Sequence, residues 1–171
     1  ESVSGYVTIN PVRRDLLARC DNHLDRARHT TKDEDVLALR WMYLDIDPRR
    51  PAEVSSTDEE LAAAVARRDA ILAGEPEWAA SALWGKSGNG AWILVRLPDF
   101  PNDATHRRMI ADAVRSIALA YDDEKVIVDS ATVNPSRLIG LSGSSKAKGS
   151  SRPERPWRRV TFDGAGPNAG G

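Results

Sequence analysis

Between Trp41 and Pro48 the chain reads Trp-Met-Tyr-Leu-Asp-Ile-Asp-Pro, a hydrophobic run that ends in two acids one residue apart. In an extended strand, alternate side chains share a face. Met42, Leu44 and Ile46 then point one way, and Tyr43, Asp45 and Asp47 the other. Proline cannot continue a ladder, so Pro48 ends the strand with both carboxylates at its C-terminal end. Two neighbouring anions repel unless a cation or hydrogen-bond donors compensate them. Hard divalent cations prefer oxygen ligands, and Mg²⁺ needs only one or two carboxylates when a substrate phosphate supplies the rest. The plain alternative is a polar strand end, a common fate of an isolated D-x-D.

The 171 residues suffice for one domain or for two small lobes sharing a core. Apolar residues make up 41% and charged ones 29%, an ordinary globular balance. The formal charge of −1 predicts no global attraction to nucleic acid, so any such binding needs a local basic patch. Cys20 is the only cysteine, which excludes an internal disulfide and a cysteine-based zinc cluster. His23, His29 and His106 lack ligand spacing, and the first two read as structural or surface residues. No apolar run reaches transmembrane length and no signal-peptide pattern is present, so a cytoplasmic protein with no membrane partner is expected. The abrupt start and stop read as those of a piece of something longer.

Gly5 to Ile9 reads as a first strand. Asn10-Pro11 then predicts a helix with Asn10 as N-cap and a buried face of Leu16, Leu17, Cys20, Leu24 and Ala27. After a polar turn, Val36 to Asp47 is the acidic strand. Thr57-Asp58-Glu59-Glu60 fits a capping box opening a helix that runs to about Gly74. Arg68 interrupts its apolar stripe, where its aliphatic stem can cover apolar surface. Trp78 to Trp84 suggests a short strand and Ala91 to Leu97 a firm one. Between them Lys86-Ser87-Gly88-Asn89-Gly90 reads either as a tight hairpin or as a cradle of backbone donors for an anion. A long helix follows over Asn102–Tyr121, with Met109, Ile110, Ala113, Val114, Ile117 and Tyr121 on one face. Lys125 to Asp129 is a second buried strand ending in an acid, and a third carboxylate is what a two-metal site requires. From Ser130 to Phe162 the chain is dense in Arg, Lys, Ser and Gly. Such a segment is either a phosphate-binding surface or a flexible basic linker. The Gly-rich stretch 163–171 reads as a disordered tail.

In this order the pieces resemble the archaeo-eukaryotic primase superfamily, and within it the primase-polymerase domains at the N-termini of phage and plasmid replication proteins. The resemblance is carried by Val7-Thr8-Ile9-Asn10-Pro11, Leu44 to Pro51, Ser87-Gly88-Asn89-Gly90-Ala91, Val128-Asp129, Asn134-Pro135-Ser136-Arg137 and Gly143 to Gly149, ending near Arg155-Pro156. It implies an α+β fold over residues 1–162: a small α/β lobe packed on a lobe resembling an RNA-recognition motif. Its mixed or antiparallel sheets are flanked by helices, and the site lies between the lobes. It implies that Asp45, Asp47 and Asp129 hold catalytic Mg²⁺ or Mn²⁺. Ser87 and its loop, Asn89 included, contact the incoming nucleotide, and Arg137 and Lys146 reach the triphosphate, with Lys148 a nearby alternate.

One position departs from the pattern. The family's second motif carries a histidine that contacts nucleotide phosphate, and Trp92 stands there. An indole offers one neutral N–H and no charge, so it can stack on a base or sugar but cannot replace an imidazolium. Either Lys86 supplies the missing cation, or the domain binds nucleotide with weakened synthesis; packing on the sheet is the structural alternative for Trp92. The leading expectation is a primase-polymerase making primers on single-stranded DNA from nucleoside triphosphates, with a replicative helicase in the same or a neighbouring chain. A catalytically weakened nucleotide- or origin-binding replication module is the alternative, and a metal-dependent nuclease a third.

Overall fold

A computed structural model describes residues 4–19 and 29–170. Its centre is a five-stranded sheet in which every neighbouring pair is antiparallel. After a short strand β1 (Tyr6–Thr8), the sheet begins with β2 (Ala38–Pro48). Helices α1 (Asp58–Gly74) and α2 (Pro76–Ala80) lead into the hairpin of β3 (Ala82–Lys86) and β4 (Ala91–Pro101). Helix α3 (Ala104–Tyr121) and β5 (Val126–Val128) follow. The spatial order β5-β2-β4-β3 makes this run a split βαβ unit, the connectivity of ferredoxin-like sheets. Three short strands come next: β6 (Leu138–Gly140), β7 (Ser145–Lys146) and β8 (Arg158–Arg159). The last strand, β9 (Thr161–Ala165), adds to the sheet beside β3.

The alternation of β2 divides the sheet as its sequence requires. Met42, Leu44 and Ile46 join Ile93, Val95, Ala64, Ile71, Ile110, Val114, Ile117, Val126 and Val128 in the main core, under α1 and α3. Tyr43 lies on the opposite face, in a second cluster with Trp92 and Leu94, against which Ile9 and Ile139 pack. Ile9 directly follows β1 and Ile139 is the middle residue of β6, and the two strands pair antiparallel as a separate ribbon. The chain is therefore α+β, with antiparallel sheets flanked by helices.

Local chemistry accounts for most boundaries. Thr57 and Glu60 form the expected capping box at the start of α1. Asp103 caps α3 by accepting from the His106 N–H. On the predicted apolar face of α3, Ile110, Val114 and Ile117 are buried, while Met109 is exposed. The 87–90 segment is a hairpin turn, closed by Ser87 N–H donating to the Gly90 carbonyl at 2.9 Å, and Gly88 takes the positive φ of 93° that the turn demands. Arg68 is buried, but it does more than cover apolar surface: it donates to Asp163 at 2.6 Å and to the Gly85 carbonyl.

Four expectations need correction. Asn10 does not cap a helix. Its Oδ1 accepts from the Arg40 and Trp41 N–H groups at 2.8 and 3.0 Å, where β2 breaks register with β4, and its amide donates to the Pro135 carbonyl. A side-chain amide offers both a donor and an acceptor, which suits a bulge better than a helix start. Among the described residues a 3₁₀ segment, Arg14–Arg19, stands where the expected helix would begin, with no buried residue and with Leu17 exposed; Cys20, His23, Leu24 and Ala27 lie outside the described residues. Residues 76–80 form a helix rather than the start of a strand, because Pro76 sits at its first turn. Residues 163–165 are not a tail, since β9 carries them along β3 and Asp163 anchors Arg68. Among the described residues no helix is long and apolar enough to cross a membrane.

Candidate functional site

The C-terminal end of β2 gathers the acids. Ile46 pairs with Val128 across β2 and β5, so the next step of the ladder sets Asp129 opposite Asp45, and the Asp129 N–H donates to the Asp45 carbonyl at 2.8 Å. On its other side Asp45 faces Trp92 of β4. The Asp129 carboxylate accepts from the Ala131 N–H, and its carbonyl accepts from the Thr132 hydroxyl, which fixes the turn that leaves β5. Asp45, Asp47 and Asp129 thus share one end of one sheet face, although over 80 residues lie between the second and the third.

This proximity has an electrostatic cost. Burial pushes the Asp45 carboxyl from its ordinary 3.8 up to about 7; the Asp47 and Asp129 charges add to the rise, and Arg137 and the Tyr43 hydroxyl oppose it. The same burial, with Asp45 beside it, holds the Tyr43 hydroxyl well above its ordinary value. Burial first, and the neighbouring acids second, disfavour the Asp45 anion, the pattern of a carboxyl held in a functional cleft. Such an acid-only oxygen set suits a hard divalent cation. Among the described residues no three His, Cys, Asp or Glu side chains close into a ready-made cage.

Two arginines answer the acids, one of them missed in the sequence. Arg137 approaches Asp45 at 3.8 Å and lies over the Tyr43 ring, 5.9 Å from its centroid. Arg50, just past the strand, approaches Asp47 at 3.6 Å with only 9% of its side chain exposed. The Pro48-Arg49-Arg50-Pro51 spacing was the available signal, since a chain held extended by two prolines returns a side chain to the strand end. Neither contact is a close hydrogen bond. Arg50 Nε and Arg137 Nε are buried without a partner, and so is the Asn89 amide nitrogen. Buried donors left unmet are uncommon in folded proteins and suit an anionic ligand.

The hairpin turn closes the second side. Gly90 passes so near β2 that a Cβ there would meet the Ile46 carbonyl at 2.4 Å and Asp47 Oδ1 at 2.8 Å. Ser87 Oγ accepts from the Gly90 N–H at 3.0 Å, so this hydroxyl shapes the turn. Asn89 is buried, and its Oδ1 accepts from the Ser56 N–H. Lys146 of β7 lies against Gly88, where an added Cβ would meet its own Cβ at 2.8 Å, and its ammonium sits 5.3 Å from the Tyr6 ring centroid. Lys148 is tied in through its carbonyl, which accepts from the Ser55 hydroxyl.

The loop bearing Arg137 is held from behind. Ser136 donates through both N–H and hydroxyl to Asp33 Oδ1, at 3.0 and 2.6 Å, while Asn10 holds Pro135 and the Ile9 N–H meets the Arg137 carbonyl. Burial raises the Asp33 carboxyl, but the Ser136 hydrogen bonds and the Arg107 charge outweigh it and leave the group below its ordinary value.

Two expected residues fall elsewhere. Lys86 is paired with Ala91, whose side chain belongs to the main core, so it lies on the helix side of the sheet, 3.9 Å from Asp163. It therefore does not stand in for the absent histidine. Trp92 shares the Asp45 face but is 93% buried, and its ring leans away over β3, where a Cβ on Gly85 would meet it at 2.6 Å. The indole is a packing element, clustered with Tyr43 and Leu94. In the basic segment Arg155 grips Glu60 with two bonds of 2.8 and 2.9 Å, and Arg158 reaches Asp58 and the Ser56 carbonyl. Both are clamps onto the start of α1, so this part of the segment is not a flexible linker. A scan against protein-family models finds no match to the chain, and no curated protein matches it either.

Proposed function

We propose that this domain is a nucleotidyltransferase of the primase-polymerase kind, joining nucleoside triphosphates on a single-stranded DNA template. The observation that carries the reading is the meeting of Asp45, Asp47 and Asp129 at one strand end, faced by Arg137 and Arg50. The split βαβ sheet supports it, as the connectivity that a lobe resembling an RNA-recognition motif requires. In this reading the sheet and the basic segment packed on it form the two-lobed core of archaeo-eukaryotic primases.

Asp45, Asp47 and Asp129 are the residues that would hold Mg²⁺ or Mn²⁺, which when bound would supply Lewis-acid activation of the attacking 3′-hydroxyl and charge for the leaving pyrophosphate. Arg137, Arg50 and the Asn89 amide offer the triphosphate donors that have no partner among the described residues. Lys146 adds charge behind the Gly88 turn. The 87–90 turn limits how far the nucleotide can approach β2.

The test is incorporation of labelled nucleotide on a primed and an unprimed single strand with Mg²⁺ or Mn²⁺. Asp45→Ala with Asp47→Ala should lower the rate by on the order of 10³-fold or more, several kcal/mol of barrier. Equal activity in both proteins overturns the reading. A second reading, a nucleotide- or origin-binding module without synthesis, is favoured by the burial of Trp92 and the turning away of Lys86, which leave no cation at the expected histidine position. Calorimetric nucleotide binding without any extended product would select it.

A further inference from the structure

The ribbon of β7 and β8 and the turn it carries form a surface that the catalytic reading does not use. Arg155 and Arg158 are spent on Glu60 and Asp58. Lys148, Arg152 and Arg159 have no carboxylate partner among the described residues, in a chain whose net charge is −1. Arg152 and Arg159 are exposed, and Glu154 is the acid that shares the turn with them. Trp157 lies between them with 42% of its surface open. Its ring is not loose: Nε1 donates to the Gly149 carbonyl at 3.1 Å, and its N–H donates to the Ser151 hydroxyl at 3.2 Å. Lys146 pairs with Arg158 in the ribbon, and Lys146 and the Arg158 backbone touch Gly88, so that side of the ribbon faces the hairpin turn. Trp157 directly precedes the strand, two residues before Arg159, and its N–H bond to the Ser151 hydroxyl sets it beside Arg152.

We propose that Trp157, with Arg152 and Arg159, is a docking platform for single-stranded nucleic acid, on which a base stacks while the two guanidiniums meet the flanking phosphates. An aromatic ring fixed by its own hydrogen bonds and flanked by unpaired cations is the pattern by which proteins hold single strands without reading sequence. Charge complementarity favours a polyanion, and the exposed ring favours one with unstacked bases over a duplex. The Arg155–Glu60 and Arg158–Asp58 clamps hold the platform rigid on α1, which lowers the entropy lost on binding. The platform's role as a template track rests on the proposed polymerase reading, but its binding does not.

The experiment measures anisotropy of a labelled oligo-dT with the whole chain, without nucleotide or divalent metal, across a salt series. Trp157→Ala should weaken binding on the order of tenfold, and Trp157→Phe should retain affinity within about threefold. Arg152→Ala with Arg159→Ala should flatten the slope of log affinity against log salt by about 1.4. Duplex of the same length should bind more weakly than the single strand. No binding by the wild type, or wild-type affinity in Trp157→Ala, overturns the platform, as does an unchanged salt slope in the arginine variant. Thermal melts of each variant identify any loss that comes from unfolding, and the conservative Trp157→Phe variant keeps the stacking claim exposed to refutation. Synthesis without strand binding here refutes the platform alone; strand binding without synthesis refutes the polymerase reading alone.

Discussion

Replacing Asp45 with asparagine should make the metal-free protein more stable, and the gain should depend on pH in a direction the structure fixes. In the unfolded chain Asp45 ionises at its ordinary value of 3.8; in the folded chain it does so at about 7, because burial and the Asp47 charge disfavour the anion. Between those two values the folded state binds a proton that the unfolded state has lost. Stability therefore falls as pH rises through that window and levels off above it. A displacement from 3.8 to about 7 corresponds to about 4 kcal/mol at about 1.4 kcal/mol per pH unit. The side chain is 17% exposed and asparagine forfeits the Arg137 attraction, so a net gain of about 2–3 kcal/mol is the better expectation.

The assay is thermal denaturation of wild type and Asp45→Asn at several pH values from 4 to 9, with a chelator present. For a chain of this length the gain appears as a rise in Tm of about 5–10 °C at pH 8, shrinking toward zero near pH 4. Mn²⁺ should then raise the Tm of the wild type far more than that of the variant, because a ligand that binds only the folded state stabilises it by mass action. A variant less stable than wild type at pH 8, or a difference that does not vary with pH, would refute the electrostatic account of the site.

Three further outcomes follow from the same contacts. Gly90→Ala drives a Cβ into the Ile46 carbonyl and Asp47 Oδ1, so it should cost about 1–3 kcal/mol in denaturation and weaken nucleotide binding further, while Gly143→Ala, where a Cβ meets nothing, controls for added bulk though its φ of 89° brings strain of its own. Asp33→Ala removes the acceptor for both Ser136 donors, and should lower nucleotide affinity by calorimetry several-fold, through loss of the Arg137 position, with no direct contact to ligand. Arg155→Ala leaves Glu60 with the Thr57 N–H and the Arg50 charge but no hydrogen-bonded guanidinium; the pair is three-quarters buried, so a loss of about 1 kcal/mol is expected, shared by Glu60→Gln and not doubled in the double variant.

What the sequence made legible follows from periodicity. The alternation over Met42–Asp47 placed three side chains in the core and three on the other face, and the capping box at Thr57 set the start of α1. Two strands each ending in Asp hinted at a shared site, but only the register of Ile46 with Val128 brings those ends together. Pairing partners far apart along a chain leave no local signature. The same limit hid Arg50, whose meaning depends on where an extended excursion returns, and Asn10, which looks like a helix cap because helix caps and bulges draw on the same side-chain amide. The mistaken tail shows the opposite error. Glycines at 164 and 166 suggest disorder by composition, yet each lies where a side chain would strike a neighbour: Trp84 for one, the Ala79 carbonyl for the other. In that stretch glycine permits close approach.

Trp92 carries the sharpest consequence for chemistry. Its ring has room only because Gly85 lacks a side chain on the adjacent strand, so the two residues form a single packing solution. An imidazole at position 92 would leave a void over Gly85 and would stand beside Asp45, whose anion burial and the Asp47 charge already disfavour. In this chain the positive charge near the acids comes instead from Arg50 and Arg137, one on each flank, both with a buried nitrogen still unmet. Guanidinium groups stay charged at any accessible pH and cannot deliver a proton to a leaving group. A polymerase built this way would rely on fixed charge, and its pH–rate profile should lack the limb that a titrating histidine adds.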